Sequence, residues 1–159
     1  MYVNNIEGGT YVDYGGTAVW KCTVNPGYTF AGWYDSSGTK ISSSNPYTRS
    51  NVTSALTLYA DVNATTYSAY AYSTGFGCCF SSVNVDKSSF TYGATVTFTA
   101  SLNPGYEFRG WYNSSGTRVS TSRSYSVTGT GNITLYARAN FAWTYDKSSG
   151  SSTISAEEF

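Results

Sequence analysis

The chain contains one sequence twice. Residues 25–39, Asn-Pro-Gly-Tyr-Thr-Phe-Ala-Gly-Trp-Tyr-Asp-Ser-Ser-Gly-Thr, recur as residues 103–117, Asn-Pro-Gly-Tyr-Glu-Phe-Arg-Gly-Trp-Tyr-Asn-Ser-Ser-Gly-Thr, with 12 of 15 positions identical. Upstream, Tyr14-Gly15 matches Tyr92-Gly93. Downstream, Leu56-Thr57-Leu58-Tyr59-Ala60 matches Ile133-Thr134-Leu135-Tyr136-Ala137, where the offset has fallen from 78 to 77. Losing one residue from a connecting loop costs little. A fold that accommodates this chain must therefore form the same small unit twice.

Within each copy the periodicity is two. Ala18, Trp20, Cys22 and Val24 alternate with Thr17, Val19, Lys21 and Thr23, and Val96, Phe98, Ala100 and Leu102 alternate with Thr95, Thr97, Thr99 and Ser101. That pattern predicts strands with one face in a core. It puts Cys22 on the buried face, in the place Ala100 takes in the second copy. Asn-Pro-Gly then predicts a turn, because Pro presets φ and Gly accepts φ > 0. The next strand turns Tyr28 and Phe30, or Tyr106 and Phe108, inward. Its other face carries Thr29 and Ala31 in one copy and Glu107 and Arg109 in the other, so the copies diverge where solvent tolerates it. Gly32 and Gly110 lie inside a strand pattern and predict a bulge that swings Trp33 and Trp111 into the core. Trp20, Tyr28, Phe30 and Trp33, with Phe98, Tyr106, Phe108 and Trp111, form the expected core. Leu56, Leu58 and Ala60, and Ile133, Leu135 and Ala137, give each copy a closing strand. Turns are expected at 25–27, 35–38, 73–77, 103–105 and 113–116.

Composition agrees: 18% of residues are aromatic, 16 of them Tyr, and only 11% are charged. Such a mix suits pleated surfaces and tight turns and suits helices poorly. The expected class is all-β, with two small antiparallel modules in tandem, each of roughly four to five strands, as a β-sandwich or Ig-like unit. A β-grasp-like variant with one short helical turn is the alternative. The expected divisions are 1–64, 65–140 and a C-terminal extension at 141–159.

A turn, then Gly-Tyr-x-Phe-x-Gly-Trp-Tyr, a polar hairpin and a closing Leu-Tyr-Ala strand together resemble the divergent InlB B-repeat, a relative of the Listeria–Bacteroides repeat. Tyr14-Gly15 with residues 17–24, and Tyr92-Gly93 with residues 95–102, match that family's alternating Thr and apolar segment. The resemblance covers about residues 8–63 and 66–140. It implies small all-β modules in extracellular bacterial proteins, with adhesive, spacer or display roles; similar modules occur in structural proteins of tailed phages. It brings no catalytic residue set.

Two departures stand out. The first copy starts almost directly after Met1, so its leading strand is expected to be short or missing. The second has a lead at Thr65–Tyr72, a turn at 73–75 and a strand near Cys78–Val85. After it comes an unmatched tail, Phe141–Phe159, whose start, Phe141-Ala142-Trp143-Thr144-Tyr145, alternates like a strand. The tail is expected to complete the first copy's sheet, in the same chain or a neighbour. The opening residues lack a secretory signal pattern, so the chain is expected either to be complete or to be cut from something larger.

Chemistry is sparse. There is no His among the 159 residues, which removes the commonest general base and metal ligand. The nine carboxylates fall mostly at turns or outward strand positions, and Asp35 aligns with Asn113, which suits turn capping better than acid–base work. No phosphate-cradling glycine loop and no Asp-rich calcium loop appears. The chain reads as non-enzymatic, without cofactor or metal. The nine basic residues are scattered singly and balanced by nine acidic ones, which argues against nucleic acid, and no apolar run is long enough to insert in a membrane as a helix. Cys22, Cys78 and Cys79 read first as buried free thiols; a disulfide among them, or between subunits, is the alternative. Tyr70, Tyr72, Trp143 and Tyr145 are candidates for an interaction face, since Tyr and Trp present rigid, amphipathic area. The expected function is structural: assembly with protein partners in a capsid or surface scaffold, or with itself. A phage decoration, head or tail component is the first reading. An adhesin or spacer module of a bacterial cell surface, or a carbohydrate-binding module with a glycan ligand, is the alternative.

Overall fold

A computed structural model describes residues 3–7, 11–74 and 78–142. The chain divides into two compact units, Met1–Thr65 and Thr66–Phe159. Among the described residues there is no helix, so the β-grasp-like variant with a helical turn is not what forms.

The first unit runs β1 (Val3–Glu7), β2 (Gly16–Val24), β3 (Tyr28–Tyr34), β4 (Lys40–Ser42), β5 (Tyr47–Val52) and β6 (Tyr59–Ala64). They form two sheets, β1-β2-β5 and β4-β3-β6. The second unit runs β7 (Thr66–Ser73), β8 (Phe80–Val85), β9 (Ser89–Thr91), β10 (Thr95–Leu102), β11 (Tyr106–Tyr112), β12 (Arg118–Ser120), β13 (Ser124–Thr128) and β14 (Ile133–Phe141). Its sheets are β13-β10-β8 and β12-β11-β14-β7-β9. Matching strands occupy matching places: β2 with β10, β3 with β11, β6 with β14. The first copy's leading strand is not missing. β1 pairs antiparallel with β2 as β8 pairs with β10. Among the described residues, the first unit's sheets show no counterpart of β7 and β9. Both units exceed the four to five strands expected, because short strands such as β4 and β12 carry too few residues to show a period.

Among the described residues every ladder is antiparallel except one. β14 pairs with β7 in parallel, from Ile133↔Ala69 to Ala137↔Ser73. The sequence offers no sign of this, since β7 and β14 are separated by the whole second copy.

Alternation builds both cores. Ala18, Trp20, Cys22, Trp33 and Leu58 are buried together in the first unit. Ala69, Phe90, Val96, Phe98, Ala100, Trp111, Leu135 and Ala137 are buried in the second. Trp33 and Trp111 are wholly inaccessible, each worth about 3–5 kcal/mol against truncation to Ala. The expected bulges are present: the register shifts between Phe30 and Gly32, and between Phe108 and Gly110, against the neighbouring closing strand. Gly110 has φ +137, and a Cβ there would meet the Ser120 carbonyl oxygen at 2.5 Å, so only glycine lets β12 approach closely enough. Gly32 is placed the same way, with φ +153 and the Ser42 carbonyl oxygen 2.9 Å from such a Cβ.

Three expectations are corrected. Tyr28 and Tyr106 are half-buried and lie outside both buried clusters, because each opens its strand directly after a turn, at the margin of the sheet. Phe30 and Phe108 are half-buried but pack against their clusters. The first copy's closing strand starts at Tyr59 and not at Leu56, whereas β14 starts at Ile133. Phe141 ends β14 opposite Tyr106 and does not open a separate strand; the remainder of the predicted tail strand, and most of the turn at 73–77, lie outside the described residues.

Candidate functional site

β7 reads Thr-Tyr-Ser-Ala-Tyr-Ala-Tyr-Ser. Its alternation buries Ala69 and half-buries Tyr67 and Ala71, and turns Tyr70 and Tyr72 outward, 49% and 48% exposed. The parallel register sets Tyr72 beside Tyr136 of β14. The three rings stack: Tyr70 on Tyr72 with centroids 6.2 Å apart and planes 14° from parallel, and Tyr72 on Tyr136 at 5.7 Å and 30°. Tyr136 in turn pairs across β11 with Tyr112, over whose ring the Arg138 guanidinium sits at 4.2 Å. The outer face of this sheet is therefore an aromatic stripe across three strands, closed at one end by a cation over a π face.

Of the four interaction-face candidates, the structure brings Tyr70 and Tyr72 together; Trp143 and Tyr145 lie outside the described residues. Tyr112, Tyr136 and Arg138 join them. Parity places Tyr136 outward, opposite the inward Leu135 and Ala137, but only the non-local β7–β14 pairing makes it Tyr72's neighbour.

The first unit repeats the stripe in reduced form. Tyr34 and Tyr59 are register partners, and the Lys40 ammonium lies 5.7 Å from the Tyr34 centroid. Tyr59 is 55% exposed, and among the described residues no strand on the side away from β3 supplies a Tyr72.

All three cysteines are free within the chain. Cys22 is buried in the first core, and Asn45 clasps it. The Cys22 N–H donates to Asn45 Oδ1 at 3.0 Å, while Asn45 Nδ2 donates to the Cys22 carbonyl at 2.9 Å and reaches Sγ at 3.5 Å. Burial raises its pKa, with the Asn45 contact pulling weakly the other way. Cys78 is exposed and Cys79 buried, so the expectation of buried thiols fails for Cys78 alone. Their sulfurs are 3.2 Å apart, hydrogen-bonded thiols rather than a covalent pair. The contact with Cys79, and a second with Tyr106, lower the Cys78 pKa; burial pushes Cys79 up to about 11. Asn103 straps the pair to the repeat's turn: its side-chain amide donates to the Cys78 carbonyl at 2.8 Å and its N–H to the Cys79 carbonyl at 3.0 Å.

Among the described residues no three His, Cys, Asp or Glu side chains gather where a metal could sit, and no helix is long and apolar enough to cross a membrane. The carboxylates of Asp35 and Asp86 are spent on backbone N–H groups, Ser37 and Thr39 for one and Thr97 for the other.

No curated protein and no solved structure matches the chain. The model of one family, the Listeria-Bacteroides repeat domain, matches residues 4–61 and again residues 77–138, one match per copy of the repeat. Repeats of this kind are typically extracellular or surface-associated, adhesin-like modules. With most of its length covered by two tandem matches, the chain belongs to the Listeria-Bacteroides repeat domain family.

Proposed function

We propose that the chain is a non-enzymatic structural module that works by protein–protein contact on an exterior surface, with the tyrosine stripe of the second unit as its contact face. The setting is a phage virion, as a decoration, head or tail component, or a bacterial cell surface, as an adhesin or spacer. The stacked tyrosines carry this reading. An exposed apolar patch held rigid on a sheet marks an interaction site, and tyrosine presents contact area at low entropic cost.

The stacking also favours a protein partner over a glycan. A sugar packs on an open ring face. Tyr72 already stacks on two rings, Tyr70 and Tyr136, which leaves less of its ring face open to a sugar. Edges and hydroxyls suit backbone and side-chain hydrogen bonds of a protein surface.

Immunogold labelling of the source cells and their phages tests the setting, and a photocrosslinking residue in place of Tyr70 tests the contact. The expected result is label on an exterior surface and one discrete protein adduct from position 70, with far less from Val119 on the short strand β12. Label confined to the cytosol, or adducts indifferent to position, would overturn the reading.

A further inference from the structure

The two units differ at one place, and four observations mark it. β6 is the outer strand of its sheet, whereas β14 carries β7 on the same side. Residues 56–58 form no strand, whereas their counterparts 133–135 are the ones that pair with Ala69, Tyr70 and Ala71 of β7. Ala60 is only half-buried where its counterpart Ala137 is wholly buried, and Tyr59 lacks the neighbour that Tyr136 has in Tyr72. Finally, the first unit has an open groove of about 420 Å³ lined by Tyr11, Val12, Tyr14, Trp20, Val52 and Leu56, among others. Val12 stands at the position of Phe90, which in the second unit is buried against β7's Tyr67 with ring centroids 6.0 Å apart.

We propose that the β6 edge and this groove form a receptor for an extended strand of another polypeptide, laid parallel to residues 56–60, with small apolar side chains inward and aromatic side chains outward. β7 defines the occupant's chemistry, because it fills the equivalent slot of the same repeat. Its Ala69 and Ala71 turn to the core, and its Tyr72 stacks on the residue equivalent to Tyr59. Among the described residues no groove-lining residue is charged, so an uncharged inward face fits and a charged one does not. An edge that no described strand pairs, beside a groove for alternate side chains, is the geometry of strand addition: backbone hydrogen bonds hold, and the groove selects. In the second unit the Ala137 carbonyl accepts from the Thr74 N–H at 3.0 Å on the β7 side. The Ala60 carbonyl is its counterpart. This site is separate from the tyrosine stripe, and either can fail without the other.

The probe is a capped synthetic peptide with the sequence of residues 65–74, titrated into the full chain and followed by NMR. Saturable shift changes are expected at Tyr11–Tyr14 and Thr53–Ala60, with slowed amide exchange at residues 56–58. A paramagnetic label on the peptide's N-terminus should broaden Leu56 more than Ala60, as a parallel strand requires. A peptide carrying Ala69→Lys and Ala71→Lys should bind about tenfold more weakly or worse. Because that change is in the peptide, the protein's own folding cannot account for the loss. On the protein, Tyr59→Ser should weaken binding at an exposed position that the fold does not need. The proposal is overturned by absence of saturation at millimolar peptide, by equal binding of the lysine peptide, or by shifts confined to residues 133–137. It is also overturned if binding appears only after truncation at Ala142, which would give the slot to the chain's own residues 143–159.

Discussion

Asp35 and Asn113 make the same three hydrogen bonds at the same place in the two hairpins. Asp35 Oδ1 accepts from the Ser37 N–H at 2.9 Å, the Ser37 hydroxyl at 2.6 Å and the Thr39 N–H at 2.9 Å. Asn113 Oδ1 accepts from the Ser115 N–H at 3.1 Å, the Ser115 hydroxyl at 2.7 Å and the Thr117 N–H at 2.9 Å. Only one of the two titrates. The bonds from Ser37 and Thr39 hold the Asp35 pKa below the ordinary carboxylate value. A depressed folded pKa gives stability that is present above the unfolded value, about 3.9, and is lost as pH falls through the folded one. Amide protection at Ser37 and Thr39 should therefore drop on acidification below about pH 4, while protection at Ser115 and Thr117 holds. Asp35→Asn should abolish the difference. Hairpins that respond to acid alike would refute the assignment.

The two core tryptophans should not be equally replaceable. Trp33 Nε1 donates to the Ser44 carbonyl at 3.1 Å, whereas Trp111 Nε1 is buried with no hydrogen-bond partner among the described residues. Both Trp→Phe changes remove similar volume. Trp33→Phe also leaves a carbonyl without its donor, so it should cost its unit about 1 kcal/mol more. Residue-resolved urea unfolding, followed separately in each unit, measures the gap; equal losses would mean that the Ser44 contact contributes nothing.

At the bulge, Gly110→Ala should destabilise the second unit by about 1–3 kcal/mol from the backbone conformation alone, with more from the contact with the Ser120 carbonyl. Gly131→Ala is the control, since a Cβ there meets nothing within 4 Å. Thermal melts of the two variants should separate clearly, and a Gly110→Ala protein as stable as the control would remove the bulge from the account.

Alkylation should single out Cys78. The thiolate is the nucleophile, and Cys78 is exposed with its pKa lowered, while Cys22 is buried with its pKa raised and Cys79 sits at about 11. Iodoacetamide at neutral pH should give one adduct, mapped by mass spectrometry to Cys78, and Cys78→Ser should leave the native chain nearly unlabelled. Equal labelling of Cys79 would contradict the burial.

Much of the fold was legible because its determinants are local. The alternation from Ala18 to Val24 and from Val96 to Leu102 gave β2 and β10, and Gly32 and Gly110 gave the bulges that bury the tryptophans. Asn-Pro-Gly and Ser-Ser-Gly gave the turns. What could not be read depends on partners far apart in sequence. Leu56-Thr57-Leu58 and Ile133-Thr134-Leu135 look alike, yet only the second is a strand, because only it has β7 alongside. Tyr70 and Tyr72 stand out as candidates for a contact face by residue type alone; their stacking with Tyr136 needs the parallel register. Tyr28 and Tyr106 have core parity but stand at a strand's first residue, where the sheet no longer covers them.

The parallel β7–β14 ladder also decides how the chain bears load. In the second unit the entering strand and the leaving strand lie side by side and point the same way, through five paired residues from Ile133↔Ala69 to Ala137↔Ser73. A pull on the chain ends slides β7 and β14 past one another, so the bonds between them are strained together and must break together. Among the described residues of the first unit, β1 and β6 belong to different sheets. Under tension along the chain the second unit should hold through the β7–β14 ladder, with its five pairs loaded at once.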